Sequence, residues 1–532
     1  MNLKKYITAA SIALGMSLTS CIGDLDLKPN DPNYGSSSDF QAVLAKCYSG
    51  IAVSGQTGPG SSDISGLDNG TGQYTRALFM MQEFPTDEAL WIWEDAGVVD
   101  LVTDTWDAAN GNIYGTYSRL YSHIAVCNDF LKLTADENTP DTDYMRLQAR
   151  TLRALSYFWA LDIFGNPTFV TEDTDEPTQI MRADLYNWLS KELEDIVALY
   201  KAADRQPFYG EVGLDGAQAL LARLYLNASV YTDGTAAYDL CQKHCSEIIT
   251  RHQGGGLNGS GLASNYLDLF GRNNDVFMPG GSRQDENEIL WGVPYDQTNT
   301  QSYGGTQFII ASCLANGNKA SDGFDCSASN YGTSDQWKCI HAVAEFSDKF
   351  ESGDIRQSLW LKEANGFQRE NTKLSDFSNG YACIKFTNLV ANFDGTYSNP
   401  DQPNWVDTDL PLIRLADVYL MYAEGFVLGG KGDAATALQY VNYLRERAGL
   451  DLWTGADLTP DNILDERGRE LYFELTRRSD LIRFGKFTGG SYIWSWKGYT
   501  AEGNAISNHY RLMPIPTQII AAQPSFKQNP GY

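Results

Sequence analysis

The sequence predicts a mainly α-helical fold: a stack of amphipathic helix pairs of tetratricopeptide length, joined to a loop-rich part with minor β structure. Three observations carry this prediction. Apolar residues recur at helical spacing in two blocks, roughly 100–252 and 411–485. A turn-rich texture of Gly, Asn, Asp, Ser and Thr fills 54–99 and 253–405 instead. Gly429, Gly430 and Gly432 divide two apolar faces within a unit of about 35 residues, the tetratricopeptide length.

The chain begins with a targeting segment. Lys4 and Lys5 precede a short apolar stretch, Ile7 to Met16, too short to span a bilayer as a mature helix. Leu18-Thr19-Ser20-Cys21 closes it. A Leu, a polar spacer, a small residue and then Cys is the pattern a lipoprotein signal peptidase cuts, leaving Cys21 lipidated at the new N-terminus. A plain secretory signal with a chance Cys is the alternative. Residues 1–20 therefore read as signal peptide and 21–37 as a polar, acidic tether, with one domain over 38–532. Residues 54–75 read as a long loop. Leu152, Leu155, Trp159 and Ile163 share a helix face, as do Leu185, Trp188, Leu189, Leu193, Ile196 and Leu199. Asp215–Tyr231 and Ala236–Arg251 continue the series. Glu288–Val293 is a strand candidate in the irregular middle. Leu412, Leu415, Tyr419, Tyr422 and Phe426 then define one helical face, and Leu438, Val441 and Leu444 the return. The last 30 residues, with four prolines, read as extended.

Composition narrows the function. A formal net charge of −27 argues against nucleic acid, whose affinity is supplied by cationic side chains. No later stretch reaches the length of a membrane span. Thirty Tyr and 12 Trp exceed what a core alone requires and suit binding of flat, apolar faces. Cys241 and Cys245, with His244 and His252, suggest either a metal site or, more simply, small buried residues on one helix. Glu172–Glu176 is an acidic run without the Gly-centred calcium-loop pattern. The Gly-x4-Gly-Lys at 425–431 has Gly432 where a P-loop needs Ser or Thr. No nucleophile elbow or His-Glu-x-x-His occurs, so neither catalysis, metal nor cofactor is expected.

Four ordered segments resemble a known family: LADVYLMYAE at 415–424, YVNYLRERAGL at 440–450, ILDERGREL at 463–471 running on to RRSDLIR at 477–483, and RLMPIP at 511–516 before the terminal QNPGY. With the lipoprotein start, they resemble the SusD/RagB family of outer-membrane nutrient-capture lipoproteins. Ile519 and Gln523 depart from its usual Glu and Asn. The resemblance implies a tetratricopeptide-like scaffold under a loop-rich, ligand-binding half. It implies anchoring in the outer membrane through Cys21, facing the cell exterior, and a SusC-like TonB-dependent transporter as partner. It also implies capture of oligosaccharide or polysaccharide without catalysis. Arg467, Arg469 and Glu470 then read as scaffold residues pairing between helices. Peptide capture on the same scaffold, a surface glycoside hydrolase and a purely structural role stay open.

A glycan site needs aromatic platforms for sugar C–H faces and polar side chains for hydroxyls. Trp91 and Trp93 fall on one side of an extended segment, flanked by Asp87, Glu88, Glu94 and Asp95. Asp68, Asn69, Gln73, Tyr74 and Arg76 lie just upstream. Both indoles packed in the core is the competing reading. A second group, Tyr303, Gln307, Phe324, Asn330, Tyr331 and Trp337, lies in the irregular middle, where the resemblance also puts ligand contacts. Trp494 and Trp496 repeat the spacing. The selected glycan-binding set is Trp91, Trp93, Asp68, Asn69, Arg76, Tyr303 and Trp337.

Overall fold

Helical periodicity becomes helices wherever a cap and an apolar face coincide. The computed structural model describes residues 39–67, 70–174, 176–315, 326–358, 360–361 and 369–532. Cys21, the signal peptide, the tether, Asp68, Asn69 and Phe324 therefore lie outside the described residues. The sixteen described helices are α1 (Phe40–Ala52), α2 (Tyr74–Gln82), α3 (Val98–Val102), α4 (Gly111–Leu133), α5 (Pro140–Phe164), α6 (Arg182–Ala203), α7 (Leu214–Leu226), α8 (Ala228–Tyr231), α9 (Tyr238–His252), α10 (Gly305–Cys313), α11 (Ala344–Ser347), α12 (Leu415–Gly429), α13 (Ala434–Arg447), α14 (Pro460–Leu471), α15 (Arg477–Arg483) and α16 (Thr517–Ala522). Residues 44–532 form one unit.

Local chemistry sets the ends. Asn110 caps α4 by accepting from the N–H groups of Asn112 and Ile113. Thr139 caps α5, with Pro140 at its first position and Asp141 and Asp143 in its first turn. Gly430, in the left-handed region at φ +59, ends α12, and Asp433 caps α13. The helices α4, α5, α6, α7, α9, α12 and α13 pack in succession, so the two helical blocks form one stack joined at α9–α12. Leu185, Leu189, Leu193 and Ile196 of α6 are fully buried. Leu199 is not: it is 43% exposed, because the last turn of α6 borders an open groove.

The described residues form ten short strands, mostly in the irregular parts: β1 (Leu90–Trp91), β2 (Thr168–Phe169), β3 (Thr178–Gln179), β4 (Ile289–Val293), β5 (Ile340–Ala342), β6 (Trp360–Leu361), β7 (Tyr381–Cys383), β8 (Val390–Ala391), β9 (Tyr397–Ser398) and β10 (Leu410–Arg414). They form an antiparallel sheet in the order β1-β5-β7-β6 and three two-stranded ribbons. Three expectations need correction. Leu412 belongs to β10, which pairs with β4, not to the helix that follows. The turn-rich parts contain two nine-residue helices, α2 and α10. The C-terminal tail holds the six-residue α16 immediately after Pro516.

A buried ion network fastens the ribbon β4–β10 to the C-terminal helices. Arg414 reaches Glu288 at 2.7 Å, Glu470 at 3.0 Å and Glu474 at 2.6 Å. Arg447 pairs with Glu288 and Glu470, and Arg356 with Asp354 and Glu466. Glu466 also accepts from Arg469. Arg467 contacts Asp417 and Asp480 at 2.9 and 2.7 Å. Buried charges persist only when paired, so these side chains are structural, in line with their scaffold reading. Cys241 and Cys245 are buried with sulfurs 3.9 Å apart, and all eight described cysteines are free thiols. His244 and His252 bond to Glu194 and Asp215 instead. Among the described residues no group of three His, Cys, Asp or Glu side chains is arranged to hold a metal, and no helix is long and apolar enough to cross a membrane.

Candidate functional site

Strand pairing brings the two candidate aromatic groups together. β1 runs antiparallel to β5, with Trp91 opposite Ile340, and the N–H of Ile92 donates to the carbonyl of Cys339 at 2.8 Å. The segment just before β5 carries Trp337 along the end of α10, its N–H donating to the carbonyl of Ala311. The loop before α10 carries Tyr303. Trp91, Trp93, Arg76, Tyr303 and Trp337 therefore line one open cleft of about 650 Å³, with Asp95, Asn112, Leu67 and Thr71.

The two indoles have different parts. Trp91 and Trp93 lie on the same side of the extended segment, rings 5.9 Å apart. Trp93 is 38% exposed, whereas Trp91 is 3% exposed, stacked on Phe308 of α10 at 5.7 Å and packed on Phe84. Trp91 is the floor and Trp93 the platform. The Trp91 indole N–H donates to Asp95 at 2.7 Å. On the opposite wall, Tyr303 is 37% exposed, 6.3 Å from Trp337 and 5.0 Å from Trp405. Trp337 donates to Asp335 at 2.9 Å. Arg76 covers the Phe308 ring at 4.5 Å and donates to the Tyr303 carbonyl at 3.1 Å, tying the walls together. Stacking faces and convergent polar groups in a shallow cleft suit a polyhydroxylated ligand.

Other candidates lie outside the cleft, most of them buried in structural roles. Gln73 is fully buried; its amide donates to the carbonyls of Ile51 and Ala52 and its oxygen accepts from the N–H groups of Arg76 and Gly305. A Cβ at Gly304 would stand 2.2 Å from Gln73, so that close approach needs glycine. Tyr74 is buried against Ser156. Tyr331 and Trp494 are buried, and Asn330 is exposed outside the cleft.

Asp87 and Glu88 face the interior rather than a ligand. Arg477 donates to both Asp87 oxygens at 2.6 Å. Burial raises the Asp87 pKa, but Arg477 outweighs it and holds the carboxyl at about 2. Glu83 accepts from the N–H of Leu475 at 2.6 Å and Glu88 from that of Phe473 at 3.2 Å. Phe473 and Leu475 are both left-handed, at φ +63 and +66, a strained backbone for bulky residues. Burial pushes the Glu83 carboxyl up to about 7, and burial together with the neighbouring Glu83 charge raises Glu88. This clamp sets the position of β1 and its indoles.

Sequence reasoning missed Asn112 and Trp405, and it named Gln307 as a ligand contact although its amide is committed to Asn404, Val406 and Asp335. Only the Asn-Gly-Asn cap signal at 110–112 pointed to the first. A larger groove of about 810 Å³ lies against α5 and α6, but its Arg150 and Arg153 are already paired with Glu192, Asp195 and Glu172.

Comparison with known proteins gives the family and the fold. A model described as the SusD family matches residues 225–532, and one described as starch-binding, associating with the outer membrane, matches 25–226. The starch-binding protein SusD of Bacteroides thetaiotaomicron is 32% identical, covering 100% of this chain and 99% of that protein. A SusD-like protein of Bacteroides ovatus is 24% identical over 75% of this chain and 71% of its own length. Among solved structures, a SusD superfamily protein from Parabacteroides distasonis matches with TM-score 0.66 at 20% identity, covering 93% of this chain and 98% of its own. Surface glycan-binding protein A from Bacteroides thetaiotaomicron, in complex with laminarihexaose, matches with TM-score 0.64 at 20% identity, covering 92% and 98%. These neighbours share the fold.

Proposed function

The chain belongs to the SusD family, and from that premise we propose that it is a non-enzymatic glycan-binding lipoprotein of the outer membrane, anchored through Cys21 and facing outward. It captures oligosaccharide or polysaccharide in the cleft and delivers it to a TonB-dependent transporter. The observation that carries the binding reading is the convergence of Trp93 with Tyr303 and Trp337, both over 200 residues further along the sequence, on one cleft with Arg76 and Asp95. Sugar C–H faces stack on the exposed rings, and the polar side chains of Asp95, Asn112 and Arg76 meet hydroxyls. The walls are tied before ligand arrives, which limits the ordering cost of binding. The relative named as starch-binding puts α-glucan first among polymers to test.

The test is electrophoresis of the protein lacking residues 1–21 through gels containing soluble starch or other polysaccharides. Starch is expected to retard it. Trp93→Ala and Tyr303→Ala should each weaken binding about tenfold with the melting temperature little changed. Trp91→Ala is a stability variant, expected to cost roughly 3–5 kcal/mol as a buried aromatic truncation. Passage unretarded through every gel, with peptides bound in calorimetry, would sink the glycan reading in favour of peptide capture.

A further inference from the structure

Beyond the cleft, the aromatic surface continues onto a loop. Trp405 is half-buried and lies 5.0 Å from Tyr303, with the ring planes inclined at 59°. It does not line the cleft. Its indole N–H has no hydrogen-bond partner among the described residues and is not buried, whereas Trp91 and Trp337 have theirs committed to Asp95 and Asp335. Tyr303 therefore stands between Trp337, inside the cleft, and Trp405, outside it.

The loop holding Trp405 is fixed on both sides. Gln307, 3% exposed on α10, donates to the Asn404 carbonyl at 3.0 Å and to Asp335 at 3.1 Å, and accepts from the N–H of Val406 at 3.1 Å. One amide thus clasps the residues on either side of Trp405 and the carboxylate that orients Trp337. Ser334 N–H and Thr333 Oγ1 donate to the Pro403 carbonyl at 3.1 and 3.2 Å, and Arg272 binds Asp401 and Asp407. An aromatic face with a free N–H, held in register with the cleft, is a preorganised contact for a sugar.

Resting on the glycan reading, we propose that Trp405 is a separate stacking subsite outside the cleft, which engages glycan chains too long for the cleft alone and gives the protein a preference for chain length.

Calorimetry with linear maltooligosaccharides of increasing length tests this on the protein lacking residues 1–21. Wild type should bind more tightly as the chain lengthens. Trp405→Ala should lose about tenfold on the longest members and leave the shortest bound member unchanged, and Trp405→Phe should keep most of the gain. Trp93→Ala should lose affinity at every length. Identical affinities for Trp405→Ala and wild type throughout would remove the subsite and leave the cleft standing. An equal loss at all lengths would make Trp405 merely a support for Tyr303, overturning the proposal. If wild type binds no member, the α-glucan reading falls and the subsite with it.

Discussion

Single side chains decide whether the cleft exists. Gln307 makes three hydrogen bonds from a buried position, so Gln307→Leu leaves Asn404 O, Val406 N–H and one Asp335 oxygen without their partner. A cost of about 2–4 kcal/mol is expected, from one unsatisfied buried group or two. Glycan affinity should fall with stability because both flanking tryptophans lose their fixed position; paired melting and binding measurements check this. Asp87→Asn takes the charge partner from a buried Arg477 and should cost roughly 3–5 kcal/mol. Polar burial of this kind is illegible in a sequence, because Gln73 and Asp87 are spelled like ligand contacts and only their distant partners show otherwise. The same holds for Trp91: alternation puts both indoles on one side, but Phe308, which covers one, lies over 200 residues away.

At the scale of elements, helices were easier to read than strands. The 3.6-residue period repeats over about six to seven turns in α5 and α6, so their faces were legible. β10 is five residues with an apolar run leading directly into α12, and Leu412 falls in phase with the helix while belonging to the ribbon. Asp409, just before β10, has a titration with a definite sign. Burial pushes its carboxyl up to about 8, against the N–H of Tyr295 and O–H of Tyr209 that favour the ionised form, while Asp275 and Asp407 push the same way as burial. The folded state holds a proton there that the unfolded chain releases near the ordinary aspartate value. Stability from this group is full below about pH 4 and is lost as pH rises through about 8. Asp409→Asn keeps a donor-and-acceptor amide in place and should flatten the decline in melting temperature across that window. An unchanged slope would exclude Asp409 as its source.

For the whole molecule, acid should act in the opposite direction. Burial raises the pKa of Asp417 and Glu466, but Arg223 and Arg467 beside the first, and Arg356 and Arg469 beside the second, hold both at about 2. Their stabilisation is present above the ordinary carboxylate range and is lost as pH falls towards about 2. Arg414 joins the ribbon β4–β10 to α14 and the turn after it, so the loop-rich part and this end of the helical stack share one charge network. A single calorimetric unfolding transition is expected, and Arg414→Met should lower it without splitting it; two separated transitions in wild type would show that the network does not couple them.

The clamp between Asp87 and Arg477 also imposes an order of events on biosynthesis. It closes a loop of 390 residues, and loop closure of that length is slow to find by diffusion and contributes little until everything between is in place. The indole strand leaves the ribosome early, while the guanidinium that seats it is added within the last 60 residues or so. Nascent chains and fragments ending before Arg477 would therefore carry every sugar-stacking ring described for the cleft and still lack the means to hold Trp93 in place.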